Sequence, residues 1–209
     1  MPKFQSTDSI ASVSSTANTD SSSPKEQFKP IIIVPYPPSY HHAVISNMSS
    51  VLFNIVYYNK THKIYSEEND VLYSKHIPKL SIEEFLIRIV KYSKIELSTL
   101  VYMYIYTLRL ITRNDLILRY NNVYRVLLGA CVISVKFNED TKFPYKYYAK
   151  IGGMTVEELS AVEFAIFTKL NCELFINEDE YYETLSFLLQ IWLISVNSGK
   201  KIKYCVTRV

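Results

Sequence analysis

Residues 96–113, ELSTLVYMYIYTLRLITR, and residues 126–135, VLLGACVISV, decide the fold class. In the first, Leu97, Leu100, Val101, Tyr104, Ile105, Leu108 and Ile111 recur every three or four positions, which lines one face of a helix. Glu96 stands near its start, and Arg109 and Arg113 fall in its last turns, where cations complement the helix dipole. The second stretch is apolar on every side, and its Gly129, Ala130 and Ser134 let neighbouring helices come close. After a cap at Asn121 or Asn122 it is expected to be the buried centre of the domain.

Helical signals continue on both sides. From Ala43 to Tyr58, the residues Ile45, Met48, Leu52, Ile55 and Val56 share one face of an N-terminal helix, and the polar residues 59–80, broken by Pro78, form a connecting loop. Ser81-Ile82-Glu83-Glu84 and Thr155-Val156-Glu157-Glu158 are capping boxes, in which a hydroxyl accepts from the amide three residues on while the glutamate reaches back. They open helices from 82 to about 92 and from 156 to about Leu170. Pro144 starts a short helical turn that Gly152-Gly153 stops, and Asn177 with Glu180 caps a last helix to about Val196. No period-two segment is long enough for a sheet, so the fold class is all-α.

The chain has 209 residues, 48% of them hydrophobic, with 23 Lys plus Arg against 20 Asp plus Glu. That is one globular domain with room for a tail, and a net charge of +3 gives no strong field toward nucleic acid or anionic membrane. Residues 1–27 are Ser/Thr-rich and too poor in apolar groups to offset ordering entropy, hence a disordered tail. Ile31 to Val34, followed by Pro35, Pro37 and Pro38, predicts an extended strap over 28–42. The domain then spans 43–196, and residues 197–209, with Lys200, Lys201, Lys203 and Arg208, form a basic tail. Cys131, Cys172 and Cys205 show no C-x-x-C spacing and leave one thiol over, as a reducing compartment allows; the expected location is intracellular, in nucleus or cytoplasm. Met1 to Ser23 lacks the apolar core of a signal peptide, so secretion is not expected. The longest apolar run, Leu185 to Val196, is far short of the roughly 20 residues a bilayer span needs, so no membrane is expected.

Few residues point to chemistry of the chain's own. His41, His42, His62 and His76 lack a spacing that would converge on a metal, and Cys131 lies inside the apolar helix. No phosphate-cradling glycine pattern is present. No catalytic residue, metal, cofactor or small-molecule substrate is therefore assigned. The two misplaced residues are Lys136 and Glu163. Glu163 stands among Leu159, Val162, Ile166 and Leu170, on the stripe that should meet apolar neighbours, where a carboxylate needs a partner. Lys136 ends the central helix. Pattern alone leaves two readings open: an intramolecular surface pair worth about 0–1 kcal/mol, or a clamp on a partner.

The stretches SIEEFLIRIVKYSK (81–94), YRVLLGACVISVKFNED (124–140), YYAKIGGMTVEELSAVEF (147–164) and KLNCELFI (169–176) resemble the cyclins, and within them the single-box P/U-type cyclins that include the phosphate-pathway cyclins. The resemblance implies a five-helix cyclin box over about 80–174, with flanking helices and no enzyme activity. It implies a regulatory subunit that binds a cyclin-dependent kinase of phosphate-pathway or related type and activates it by packing on its C helix. Lys136 and Glu163 match the pair with which cyclins grip the kinase main chain. Cyclins that dock R-x-L substrates carry M-R-A-I-L on the first box helix; the corresponding stretch here is Ile87-Arg88-Ile89-Val90-Lys91, so that docking is not expected. The rival reading is a cyclin-fold transcription factor or helical adaptor without kinase activation, which should show basic residues clustered on one box face.

Overall fold

The computed structural model describes residues 38–64, 71–113 and 116–198, with side chains from residue 40 to residue 189. The expected N-terminal tail, most of the strap and nearly all of the basic C-terminal tail lie outside the described residues. Among the described residues there are seven helices and no strand: α1 Pro38–Thr61, α2 Ile82–Ser93, α3 Leu97–Arg113, α4 Val123–Asn138, α5 Tyr145–Gly152, α6 Val156–Lys169 and α7 Glu178–Ser198.

Local chemistry places the helix starts. The Ser81 hydroxyl accepts from the Glu84 amide at 3.1 Å while Glu84 accepts from the Ser81 amide at 2.7 Å. Thr155 and Glu158 repeat the exchange at 3.1 and 3.0 Å, and the Asn177 side chain accepts from the Glu180 amide at 2.7 Å. Gly153, at φ +66°, ends α5 in the left-handed conformation that a residue without Cβ adopts at least cost.

Two expectations change. The first helix begins at Pro38, so residues 38–42 of the predicted strap are helical: a proline in the first turn loses no helical hydrogen bond, and its φ already suits the helix. Asn122 occupies the cap position of α4 but makes no cap; its side chain accepts from the Arg119 amide at 2.7 Å and donates to the Ile117 carbonyl at 2.9 Å, folding the preceding loop instead.

Helix α4 is the centre, as its all-round apolarity predicts, and from Val123 to Val135 only Arg125 is not buried. Helices α3 and α6 pack on its flanks. At Gly129 a Cβ would come within 2.5 Å of Ile166 Cδ1 and 2.9 Å of Val162 Cγ1, so the close α4–α6 approach rests on its absence. Arg125 crosses the same seam to Glu158 at 2.8 Å. Helices α1 and α7 pack together on the other side, where the Asn47 amide donates to the Leu188 carbonyl.

Candidate partner-binding site

Lys136 lies in the last turn of α4 and Glu163 in the middle of α6. The packing of these two helices brings their side chains together, with Nζ 2.6 Å from Oε1. The Glu163 side chain is only 17% exposed and the Lys136 side chain 50%, so the pair sits at the rim of the core and meets solvent from the lysine side. A third element completes the cluster. Tyr145, the first residue of α5, places its ring 4.9 Å from the Lys136 ammonium, a cation–π distance. Burial, then the neighbouring Glu163 carboxylate, pushes the Tyr145 hydroxyl well above the ordinary phenol range.

The end of α4 is held from beneath. Glu139 Oε1 accepts from the Glu96 amide at 2.9 Å and the Thr99 hydroxyl at 2.6 Å, capping the start of α3, and Asn138 donates to Ser98 and Thr99. Lys142 returns from the next loop to donate to the Lys136 carbonyl at 3.0 Å. Lys136 therefore projects from a fixed backbone.

Aromatic residues surround this pair in the chain. Phe137, Phe143 and Phe164 are all exposed, Phe164 to 71% although it directly follows the nearly buried Glu163. The loop between α6 and α7 adds Phe175, exposed to 76%. That loop is fixed by side chains of α3, which hold three successive carbonyls: Arg109 donates to Glu173 at 2.8 Å and Phe175 at 2.9 Å, and the Tyr106 hydroxyl to Leu174 at 2.7 Å. Arg109 also grips Glu180 at the start of α7 in a bidentate pair, Nε donating to Oε1 at 3.1 Å and Nη2 to Oε2 at 2.6 Å. The loop bears two adjacent non-glycine residues at positive φ, Asn171 at +52° and Cys172 at +60°.

Sequence reasoning misplaced Arg109. Its position near a helix end predicted a cation facing the dipole, whereas it is 7% exposed and acts as a buried staple. The exposed phenylalanines were missed, although one signal was available: Phe164 falls off the apolar stripe formed by Leu159, Val162, Ile166 and Leu170, all of them buried.

The remaining candidates are scattered. His41 and His42 lie in α1, and burial lowers the His41 pKa; His62 stacks on Tyr58 at 3.9 Å. Cys131 is fully buried, and desolvation raises its thiol pKa to about 12, which keeps it an inert thiol. Among the described residues, no three His, Cys, Asp or Glu side chains are grouped as metal ligands, and no helix is long and apolar enough to cross a membrane.

The five helices α2 to α6, with a lysine and a glutamate joined across α4 and α6, make an architecture that a family profile can test, and the Cyclin profile matches residues 4–174. The chain belongs to the cyclin family. Within the family it is similar to Cyclin-U4-2 of Arabidopsis thaliana, 30% identical over 153 residues that cover 69% of each chain. Cyclin-U4-1 of the same plant is 28% identical over 155 residues, covering 72% of this cyclin and 77% of the relative. The PHO85 cyclin-like protein psl1 of Schizosaccharomyces pombe is 28% identical over 109 residues, 51% of this cyclin and 45% of the relative. The two plant relatives are U-type cyclins, and membership of the family carries a regulatory, non-catalytic role. In this cyclin α2 to α6 form the cyclin box; α7 lies beyond the matched residues.

Proposed function

We propose that this cyclin binds a cyclin-dependent protein kinase of the phosphate-pathway type and activates it by packing on the kinase's C helix. The observation that carries the reading is the Lys136–Glu163 pair, held at 2.6 Å on two different helices and followed in sequence by the exposed Phe137 and Phe164. An ammonium and a carboxylate so placed offer one donor and one acceptor to the main chain of a docked segment, a carbonyl for Lys136 and an amide for Glu163. The phenylalanines supply the apolar contact that a helix requires. With its C helix held inward, the kinase's own glutamate meets its ATP-positioning lysine, and phosphoryl transfer becomes possible. The name of the fission-yeast relative supports a PHO85-type partner.

The M-R-A-I-L position of R-x-L-docking cyclins falls on α2, where Ile87 and Lys91 are exposed and the Arg88 Nε donates to the Ile151 carbonyl at 2.8 Å. A lysine at the position of the apolar anchor agrees with substrate choice by another route.

The test is peptide phosphorylation by a purified PHO85-type kinase with and without the purified cyclin. Activity is expected only with both, and is expected to fall with Lys136→Ala. Labelling by the cyclin alone, free of contaminating kinase, would overturn the reading.

A further inference from the structure

Beyond the cyclin box, the first turns of α7 carry an aromatic face that the clamp does not use. Rings connect it to the clamp: Phe137, next to Lys136, lies 6.3 Å from Tyr102 on α3; Tyr102 lies 6.1 Å from Tyr181; and Tyr181 lies 5.2 Å, edge to face, from Tyr182 on α7. Phe137 and Tyr182 are both about half exposed, so the row surfaces at each end. Phe187, five residues on, is exposed on another side of α7, about 140° round from Tyr182. The face is held by the Arg109–Glu180 pair and the three anchored carbonyls of residues 173–175, which make its orientation a property of the core.

On α7 itself the charge beside these rings has one sign, while Arg113 of α3 pairs with Glu173 of the loop at 3.6 Å and Lys136 adjoins Phe137 at the far end of the row. Glu178, Asp179 and Glu183 are exposed beside Tyr182, and residues 178–189 contain no lysine or arginine. Acids in the first turn suit the helix dipole, but Tyr182, Glu183 and Phe187 lie beyond it, and exposed aromatic residues there gain nothing from the dipole.

We infer that the loop 173–177 and the first three turns of α7 form a second docking face, filled by a lysine- or arginine-bearing segment of the same kinase that the Lys136–Glu163 clamp grips. Cationic side chains stack on tyrosine faces and pair with the flanking carboxylates, so one basic segment satisfies both features. Continuity of the ring row with Phe137 makes the kinase the occupant, because a chain seated on Lys136 and Phe137 is carried over Tyr102 toward Tyr182. The inference rests on the kinase reading above. It adds that α7, outside the residues the family profile matches, contributes to recognition.

The experiment measures affinity of the full-length cyclin for a purified PHO85-type kinase, and places a benzoylphenylalanine photo-crosslinker at position 182. Tyr182→Ala is expected to weaken binding about ten-fold, while Tyr182→Phe stays within about two-fold because the ring face is kept. Glu183→Lys should weaken binding more at low salt than at high salt. All three should keep wild-type helical content. The crosslinked kinase peptide should contain arginine or lysine. Unchanged affinity in Tyr182→Ala and Glu183→Lys, with Lys136→Ala weakened, overturns this face and leaves the clamp standing. A crosslink to a second copy of the cyclin, or to a kinase segment without basic residues, also overturns it. Failure of the wild-type protein to bind the kinase overturns both readings.

Discussion

Lys136 and Glu163 satisfy each other across 27 residues of sequence, with a carboxylate that solvent barely reaches and an ammonium that rests over the Tyr145 ring. A partner that takes up either charge has to replace this interaction. The pair is therefore already desolvated on the glutamate side and already oriented on both, so little ordering remains when a second chain arrives.

Removal of Lys136 strands the nearly buried Glu163 carboxylate, and removal of Glu163 leaves the ammonium without the acceptor that orients it. Lys136→Ala and Glu163→Ala should each weaken kinase binding by about 2–5 kcal/mol, with the double mutant losing less than the sum because both groups grip one segment. Titration calorimetry on all four proteins checks this, beside urea unfolding. A change confined to unfolding would show that the pair is intramolecular only.

Arg109 supports a loop that no backbone ladder holds. Arg109→Met should cost about 2–4 kcal/mol, since it leaves Glu180 and two carbonyls without their donor. Arg109→Lys should recover little of that, because an ammonium lacks the planar fork that reaches all three acceptors. Thermal unfolding of the two variants, compared with wild type, gives the answer.

Gly129→Ala sets helix propensity against space. Alanine gains up to about 1 kcal/mol in a helix, but the new methyl would press on Ile166 and Val162, and overpacking of about 1–3 kcal/mol should win. Ile166→Val removes the nearest atom, so the double variant should be more stable than the two single changes add up to. Denaturant midpoints measure the coupling.

The capping boxes make stability depend on pH. Hydrogen bonds from the Ser81 amide and hydroxyl lower the Glu84 pKa, and the Thr155 amide, then Arg125, lower that of Glu158. Each carboxylate is held below its unfolded value, so its contribution is present above the ordinary glutamate range and is lost as pH falls through the depressed folded value. Urea midpoints should decline between about pH 5 and about pH 3, and Glu84→Gln should flatten part of that decline while keeping the helix start. A slope unchanged by that substitution would remove Glu84 from the account.

What the amino-acid pattern reveals here is set by how far away the partner lies. The starts of α2, α6 and α7 are readable because hydroxyl or amide side chain and capped amide stand three residues apart. The all-round apolarity of α4 and its central burial are two statements of one fact. Glu163 is readable as an anomaly on an apolar stripe. Arg109 is not, because the acid that buries it is 71 residues away and an arginine near a helix end already has a local explanation. The start of α1 was hidden by its own proline, which serves a strap and a first helical turn equally well.

Asn47 on α1 and Leu188 on α7 are joined across 141 residues, and α1 packs along α7. Among the described residues, the first helix thus depends on the last. At about 5–20 residues per second, the side of α1 that α7 covers stays bare for roughly 7–30 s of synthesis, while the cyclin box between them has time to assemble. Nascent chains at that stage present a bare face of α1 to chaperones and to wrong association, and the packing of α7 on α1 closes it.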